Sequence, residues 1–567
     1  MRELNNKSWY IGNTTVRNPM RIKTGLAVLA DSPLNGNLEG RDNENAFAHL
    51  LYESGIVTLS RLDDDPNADV SDLGRKWRAA MMQLGFITDA PYVVTENGHR
   101  LIASMNLPPS TILPAEQECF LRSLLAYQIP SPIEPREAGP TFSPLRIVLE
   151  VLSALEGAGM NASISKGEMA GIVQLIRRIE DVAAAVEAIT NLHDLESREA
   201  IPRDRRRVIN AFLERVARDI KGQQAGTLAD YADSNFRYLK VTGLFSNRGS
   251  RLEFASHKRT IINQILARPF VPIPDNAYTQ TLWAGAPLPT DSRPQAIEAI
   301  ESLAVLLRDE GQNVRLSNLI RKPVQDLVHL RLGLEGRYTE VLEGQYADQQ
   351  AEQWEEILDY LRAISNIRNS KIIPKGEGPA YLEWSVWRAF LAIDSLLNKP
   401  WEARRFRVDQ DFLPIGPAPS NGPDSIFEFD EFVVVVEVTL TSSSRQEAAE
   451  GEPVRRHVAR LVDEYEKRGK RVYGLFLANE VDTNTAETFR IGVWYRPDDS
   501  RITLRIVPFT VKQFADLFEA YFRRRGRLIH TMLEEIIRDC RAESNADAPD
   551  WKRLINERVG RAIQRLA

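Results

Sequence analysis

The sequence predicts a multidomain fold: α+β winged-helix modules toward the N-terminus, a helical linker, and a C-terminal α/β domain. Three observations predict it. The chain has 567 residues, too many for a single core. Six prolines between Pro269 and Pro294 crowd one segment and mark a boundary. Toward the C-terminal end, Phe432 to Val438 is a β-branched run too apolar to lie at a surface. The expected boundaries are 1–275, with modules at about 1–110 and 200–268, then 276–375 for the linker and 376–567 for the last domain.

Composition excludes several classes. An apolar fraction of 43% and a charged fraction of 26% are those of an ordinary globular protein. Only Cys119 and Cys540 occur, which fits a reducing cytoplasm and excludes a disulfide framework or a four-cysteine zinc site. No signal-peptide pattern opens the chain, and no apolar run reaches bilayer length, so a soluble, cytoplasmic protein with no membrane partner is expected. The net charge of −6 argues against a nucleic-acid partner, but residues 199–259 hold 13 Lys or Arg against 7 Asp or Glu.

From the N-terminus, Asn13 to Pro19 is a polar loop ended by proline, and its amides, hydroxyls and Arg17 suit phosphates and base edges. Helical periodicity follows over Ile22–Ala30, Asn45–Ser54 and Asp69–Leu84. A strand over Tyr92–Thr95, a turn at Asn97-Gly98 and a strand at Leu101-Ile102-Ala103 would close a winged helix-turn-helix. Its third helix would lie in a DNA major groove, presenting Arg75, Lys76 and Arg78, with Trp77 and Met81 facing the core. Pro144–Glu156 and Glu180–Thr190 read as scaffold helices.

A second copy is expected from a helix over Leu228–Leu239, a turn at Asn247-Arg248-Gly249 and a strand at Leu252-Glu253-Phe254. Arg237, Lys240, Arg248 and Arg251 would form its basic face, with a solvated helix surface as the plainer alternative. Pro294 to about Ile367 is helical throughout. The last domain opens with Pro379 at a helix start and Glu383 at the edge of the apolar stripe Leu382, Val386, Ala389, Ile393 and Leu396. Ser425–Phe429 and Phe432–Val438 form a hairpin about Asp430-Glu431. A helix follows from Pro453 to about Lys467, then strands over Val472–Ala478, Ile491–Tyr495 and Ile502–Val507, and a basic helical end.

This hairpin carries the candidate chemistry. Asp424 stands at the entry of one strand and Glu437 at the exit of its antiparallel partner, so the two carboxylates converge. Two acids beside a dry sheet repel one another unless a hard cation such as Mg²⁺ joins them. Taken singly, each acid reads as a turn residue or a solvated strand end. Glu450, just ahead of the Pro453 helix, is a further ligand candidate, while Arg456 and His457 read as phosphate contacts or surface groups and not as the general base.

The order of helix, hairpin, helix and strand, with Pro423-Asp424 and Glu437-Val438-Thr439, resembles the PD-(D/E)XK nuclease core. Thr439 stands where that core usually has the lysine that activates water. A narrower resemblance, to the AlwI-type restriction endonucleases, rests on Trp9 to Pro19, Gly74 to Arg78, Leu84 to Ile87, Leu382-Glu383-Trp384, Pro423-Asp424, Val436 to Thr439 and Glu450 to Val454. It implies catalytic roles for Glu383, Asp424, Glu437 and Glu450, and a type IIS enzyme or a strand-specific nicking endonuclease acting on double-stranded DNA. It also implies a cognate DNA methyltransferase. One chain has one candidate site, so cutting both strands would require a homodimer or a small catalytic subunit. A non-catalytic DNA-binding regulator and a structure-specific repair nuclease are the rival readings. No Walker loop, His-Glu-X-X-His or Gly-X-Ser-X-Gly is present.

Overall fold

The structure, a computed structural model, describes residues 8–16, 18–134, 139–220, 222–248, 251–442, 445–524 and 529–566. It divides into two compact units, Met1–Thr339 and Glu340–Ala567. The division falls inside the helix Val324–Asp348, within the segment expected to be a linker, which is helical from Arg293–Asp309 through Trp354–Ser365.

In the first unit, α1 (Ile22–Ala30), α2 (Arg41–Glu53) and α3 (Ser71–Gln83) match the expected helices, with Trp77 and Met81 in the core. The expected wing over 92–103 does not form there. The antiparallel contact comes earlier, where Ile87 pairs with Val94, and Glu96–Ala103 is a helix, α4. The Thr95 hydroxyl caps it by accepting from the Gly98 N–H at 3.1 Å. The buried Asn97 amide donates to the Cys119 carbonyl at 3.1 Å and to Ser123 Oγ at 3.0 Å. Asn97-Gly98 is therefore a first helical turn held by distant partners rather than a hairpin tip.

The same unit continues with α5 (Pro144–Gly157), β1 (Ser163–Ser165), α6 (Lys166–Gly171), α7 (Val182–Ser197), α8 (Pro202–Asp219), α9 (Ala225–Lys240), β2 (Phe245–Arg248) and β3 (Arg251–Phe254). The strand expected at Leu252-Glu253-Phe254 is present as part of β3, but Asn247 and Arg248, expected in a turn, belong to its partner strand β2, and β1 adds to give an antiparallel sheet in the order β1-β3-β2. Along α9, Leu228, Ala232, Phe236 and Leu239 are buried at helical spacing. The N-terminal segment covers the rest of this helix: the Ile11 N–H donates to Asn235 Oδ1 at 2.9 Å and Ser234 Oγ donates to the Ile11 carbonyl at 2.9 Å. Gly12, at φ 72°, makes that approach possible, because a Cβ there would meet the Tyr238 ring at 2.0 Å.

The second unit is built on a four-stranded sheet. Its elements are α10 (Gly378–Leu391), β4 (Ser425–Glu428), β5 (Phe432–Thr439), α11 (Glu452–Tyr465), β6 (Arg471–Ala478), β7 (Val493–Tyr495), β8 (Arg501–Thr503) and β9 (Ile506–Thr510), then α12 (Val511–Arg523), α13 (Ile529–Ala542) and α14 (Ala548–Leu566). The strand order is β9-β6-β5-β4, with β4 antiparallel to β5 and the remaining neighbours parallel. Val433 to Val436 of β5 are buried on both faces, as a central strand between packed helices requires. Phe390 of α10 stacks on Phe427 of β4 with ring centroids 4.0 Å apart. The strand expected over Ile502–Val507 is two strands: β8 pairs with β7 in a separate ribbon and β9 joins the main sheet. The chain bends between them, where the Leu504 N–H bonds the Gly492 carbonyl at 2.6 Å.

Candidate active site

Register places the first two acids. Ser425 lies opposite Val436 in the β4–β5 ladder, so Asp424 sits beside the Glu437 end of β5. The Val438 N–H donates to Asp424 Oδ2 at 2.7 Å, and the Asp424 carbonyl accepts from the Arg405 N–H at 3.2 Å. Glu437 is 7% exposed and Glu383, on α10, is 6% exposed. Glu383 Oε2 accepts from the Ala418 N–H at 2.7 Å. Glu450 lies on a wide π turn, Glu447–Gly451, that runs directly into α11. Buried Gln446 ties that turn down, donating to the Glu480 carbonyl at 2.9 Å and accepting from the Asp482 N–H at 2.8 Å.

Electrostatics couples the four acids. Burial, then the neighbouring Asp424, raises the Glu383 carboxyl well above the usual range. Burial, then Glu437, does the same to Asp424. Glu437 is pushed up to about 8 by burial and by Glu450. Glu450 is raised by its burial, with a hydrogen bond from the Thr439 side chain holding it back. Oxygen donors that retain protons because burial and, at Glu383, Asp424 and Glu437, neighbouring acids disfavour their charge are the set a hard divalent cation replaces protons on.

The donor chemistry therefore fits Mg²⁺. Among the described residues, however, the set of three ligand atoms lying within 4.8 Å of one another is elsewhere, at Glu168, His193 and Glu196 in the first unit. There Arg251 already supplies the cation. Its Nη2 donates to Glu168 Oε2 at 2.8 Å and lies 3.0 Å from His193 Nε2. We read that group as an internal pin between α6, α7 and β3.

His457 is not a surface group. It is 6% exposed on α11, its Nδ1 lies 2.6 Å from Glu437 Oε1, and its Nε2 is buried with no hydrogen-bond partner. Burial, and then Arg456, lowers its proton affinity and favours the neutral ring. Only the seven-residue step from Glu450 along the turn and helix hinted at it.

The expected DNA-binding residues divide. Arg75 is exposed and Lys76 half-exposed on α3, both paired with Asp72. Arg78 is turned inward, bonding the Leu38 carbonyl at 3.0 Å and Glu44 at 2.8 Å. Arg237 bonds Asp233 at 3.0 Å, Lys240 is 9% exposed, and Arg251 belongs to the pin. Arg17 and the Arg248 side chain lie outside the described residues. A basic surface that residue-by-residue reading misses lies on α8, where Arg203, Arg205, Arg206 and Arg207 are exposed within its first turns.

Solved structures similar to this chain include the small subunit (R.BspD6I2) of the heterodimeric restriction endonuclease R.BspD6I, at 25% identity over 36% of this chain and 98% of that one with a TM-score of 0.29, and the restriction endonuclease FokI, at 12% identity over 94% and 99% with a TM-score of 0.24. No curated protein matches the chain. No helix among the described residues is long and apolar enough to cross a membrane. The AlwI restriction endonuclease family matches residues 82–517, a span that contains Glu383, Asp424, Glu437, Glu450 and His457. The chain belongs to the AlwI restriction endonuclease family of site-specific deoxyribonucleases.

Proposed function

We propose that this chain is a Mg²⁺-dependent, type IIS-like endonuclease that reads a short asymmetric sequence in double-stranded DNA with its N-terminal portion, 1–275, and hydrolyses a phosphodiester at an offset with 376–567. The observation that carries the reading is the convergence of Asp424 and Glu437 at adjoining strand ends, with buried Glu383 and half-buried Glu450 completing the set. Asp424 and Glu437 would hold the metal, and Glu383 and Glu450 would complete its shell or orient water. When bound, Mg²⁺ supplies Lewis acidity toward the phosphate and lowers the pKa of water.

The chain's own residues do the rest. Thr439 has no titratable nitrogen to offer where the nuclease core usually carries lysine. His457 does: a neutral imidazole, oriented through Nδ1 by Glu437, is suited to take a proton at Nε2. In the first unit, the order α5, β1, α6, α9, β2, β3 supports a winged-helix reading with α7 and α8 inserted, and Arg75, Lys76 and the α8 arginines would contact phosphates. Cutting both strands would take a homodimer or a small catalytic subunit; without one, the chain would be a nicking endonuclease or the large subunit of a heterodimer. A cognate methyltransferase would protect the host site.

The regulator reading draws on Thr439, yet an inactive domain would have no use for four mutually repelling acids, two buried and two half-buried. Supercoiled plasmid incubated with protein and Mg²⁺, with EDTA as control and end mapping after, is the test. Defined Mg²⁺-dependent ends, lost in Asp424→Ala and Glu437→Ala while DNA binding persists, are expected; cleavage by either variant would overturn the metal assignment.

A further inference from the structure

The four acids create a difficulty for their own substrate, because a phosphodiester is also an anion and a carboxylate cluster repels it. One Mg²⁺ carries two positive charges against four carboxylates, so a cation of this unit is suited to offset the remaining repulsion where the phosphate arrives. Arg405 and Arg456 are the two arginines that act electrostatically on both Glu437 and His457. They differ in how their charge is used. Arg456 Nε is paired with the Glu452 carboxylate at 3.0 Å. Arg405 has no carboxylate partner among the described residues: its Nη2 donates to the neutral Asn421 Oδ1 at 2.6 Å.

Its seat is also built. The Arg405 backbone N–H bonds the Asp424 carbonyl, which ties the start of its side chain to the acid beside the metal site. The guanidinium then lies across Gly422, so close that a Cβ at that position would stand 1.3 Å from Nη1. Gly422 thus leaves room for the guanidinium next to Pro423-Asp424, and Asn421 grips its far side. A half-buried guanidinium, oriented by backbone and amide contacts and left without a counter-ion, is preorganised for a ligand that brings its own negative charge.

We propose that Arg405 is a phosphate contact of the active site, its Nη1 edge binding a non-bridging oxygen of the scissile phosphodiester or of the one next to it. This rests on the endonuclease reading above. Binding a phosphate there offsets the repulsion from Asp424 and Glu437 and stabilises the charge that grows on the phosphoryl oxygens as water attacks. A guanidinium fork serves this better than an ammonium, since it spans two oxygens in a fixed plane.

The test uses the full chain with Mg²⁺ and a cleavable duplex, under single turnover with enzyme in excess. Wild type and Asp424→Ala run alongside, so that cleavage by wild type and its loss in Asp424→Ala establish the endonuclease reading independently. Arg405→Ala is expected to slow cleavage about 100- to 1,000-fold, the effect of removing one preorganised donor, while site-specific binding weakens less than about tenfold and Tm is unchanged. Arg405→Lys is expected to recover only part of the rate. Gly422→Ala is a second, positional variant: the new Cβ displaces the far end of a flexible side chain, so folding is retained while the guanidinium leaves its seat and cleavage falls. Cleavage by Arg405→Ala within about threefold of wild type overturns the proposal, as does full recovery of rate by Arg405→Lys.

Discussion

Replacing Glu437 by glutamine is expected to stabilise the metal-free protein at pH 8 while abolishing cleavage. The folded state holds the Glu437 proton up to about pH 8, whereas the unfolded chain releases it near the ordinary value of 4.5. Between those values the folded state binds more protons than the unfolded state, so stability is full below about 4.5 and is lost as pH rises toward 8. At about 1.4 kcal/mol per tenfold step, this one group accounts for a loss of roughly 3–5 kcal/mol across that window. That corresponds to roughly 10 °C in Tm for a unit of this size. Thermal denaturation in EDTA at pH 5.5 and pH 8 reads it directly. Wild type should lose Tm over that interval and regain it on adding Mg²⁺, more at pH 8 than at pH 5.5. Glu437→Gln, carrying no charge to neutralise, should show a flatter pH profile and little response to Mg²⁺. A wild-type Tm that rises from pH 5.5 to 8 in EDTA, or a variant less stable than wild type at pH 8, would refute the account of Glu437 as a buried acid held protonated by burial and by Glu450.

His457→Ala should cut about 100- to 10,000-fold more slowly while still binding its DNA site. Because burial lowers the imidazole's proton affinity, the acid limb of the wild-type rate profile should fall below pH 6.5; a limb above that value would count against the neutral ring. Arg251→Ala removes one partner of buried Glu168, which keeps His193 and the Ser165 N–H, and should cost about 1–3 kcal/mol, seen as a lower Tm and faster proteolysis of the first unit, with unchanged stability speaking against the pin. Arg203, Arg206 and Arg207 changed together to glutamine should lessen the slope of log K against log[salt] by about 0.9 for each phosphate they no longer neutralise, and an unchanged slope would remove α8 from the interface.

What the sequence disclosed and what it hid follow from how far apart interacting groups lie along the chain. The β4–β5 hairpin is legible because β-branched composition, a two-residue turn and the acids at its ends all lie between Asp424 and Thr439, and its register follows from the turn. Asn97-Gly98 carries an equally strong local turn signal and misleads, because Cys119 and Ser123 bind the Asn97 amide and Thr95 caps the helix. The arginines mislead likewise: exposure is the safe expectation for arginine, but Arg78 finds Glu44 and Arg251 finds Glu168 and His193, partners 34 to 83 positions away that no periodicity reveals. Distance along the chain also hides His457. Thr439 in place of lysine directs the search for a basic group to β5 itself, where none stands. The parallel step from β5 through α11 to β6 lays the helix back against the sheet and brings a nitrogen to Glu437 from 20 residues further on. An acid on a strand advertises itself by interrupting an apolar run; a histidine on the buried face of an amphipathic helix interrupts nothing, so its part in the site emerges only once the helix is packed.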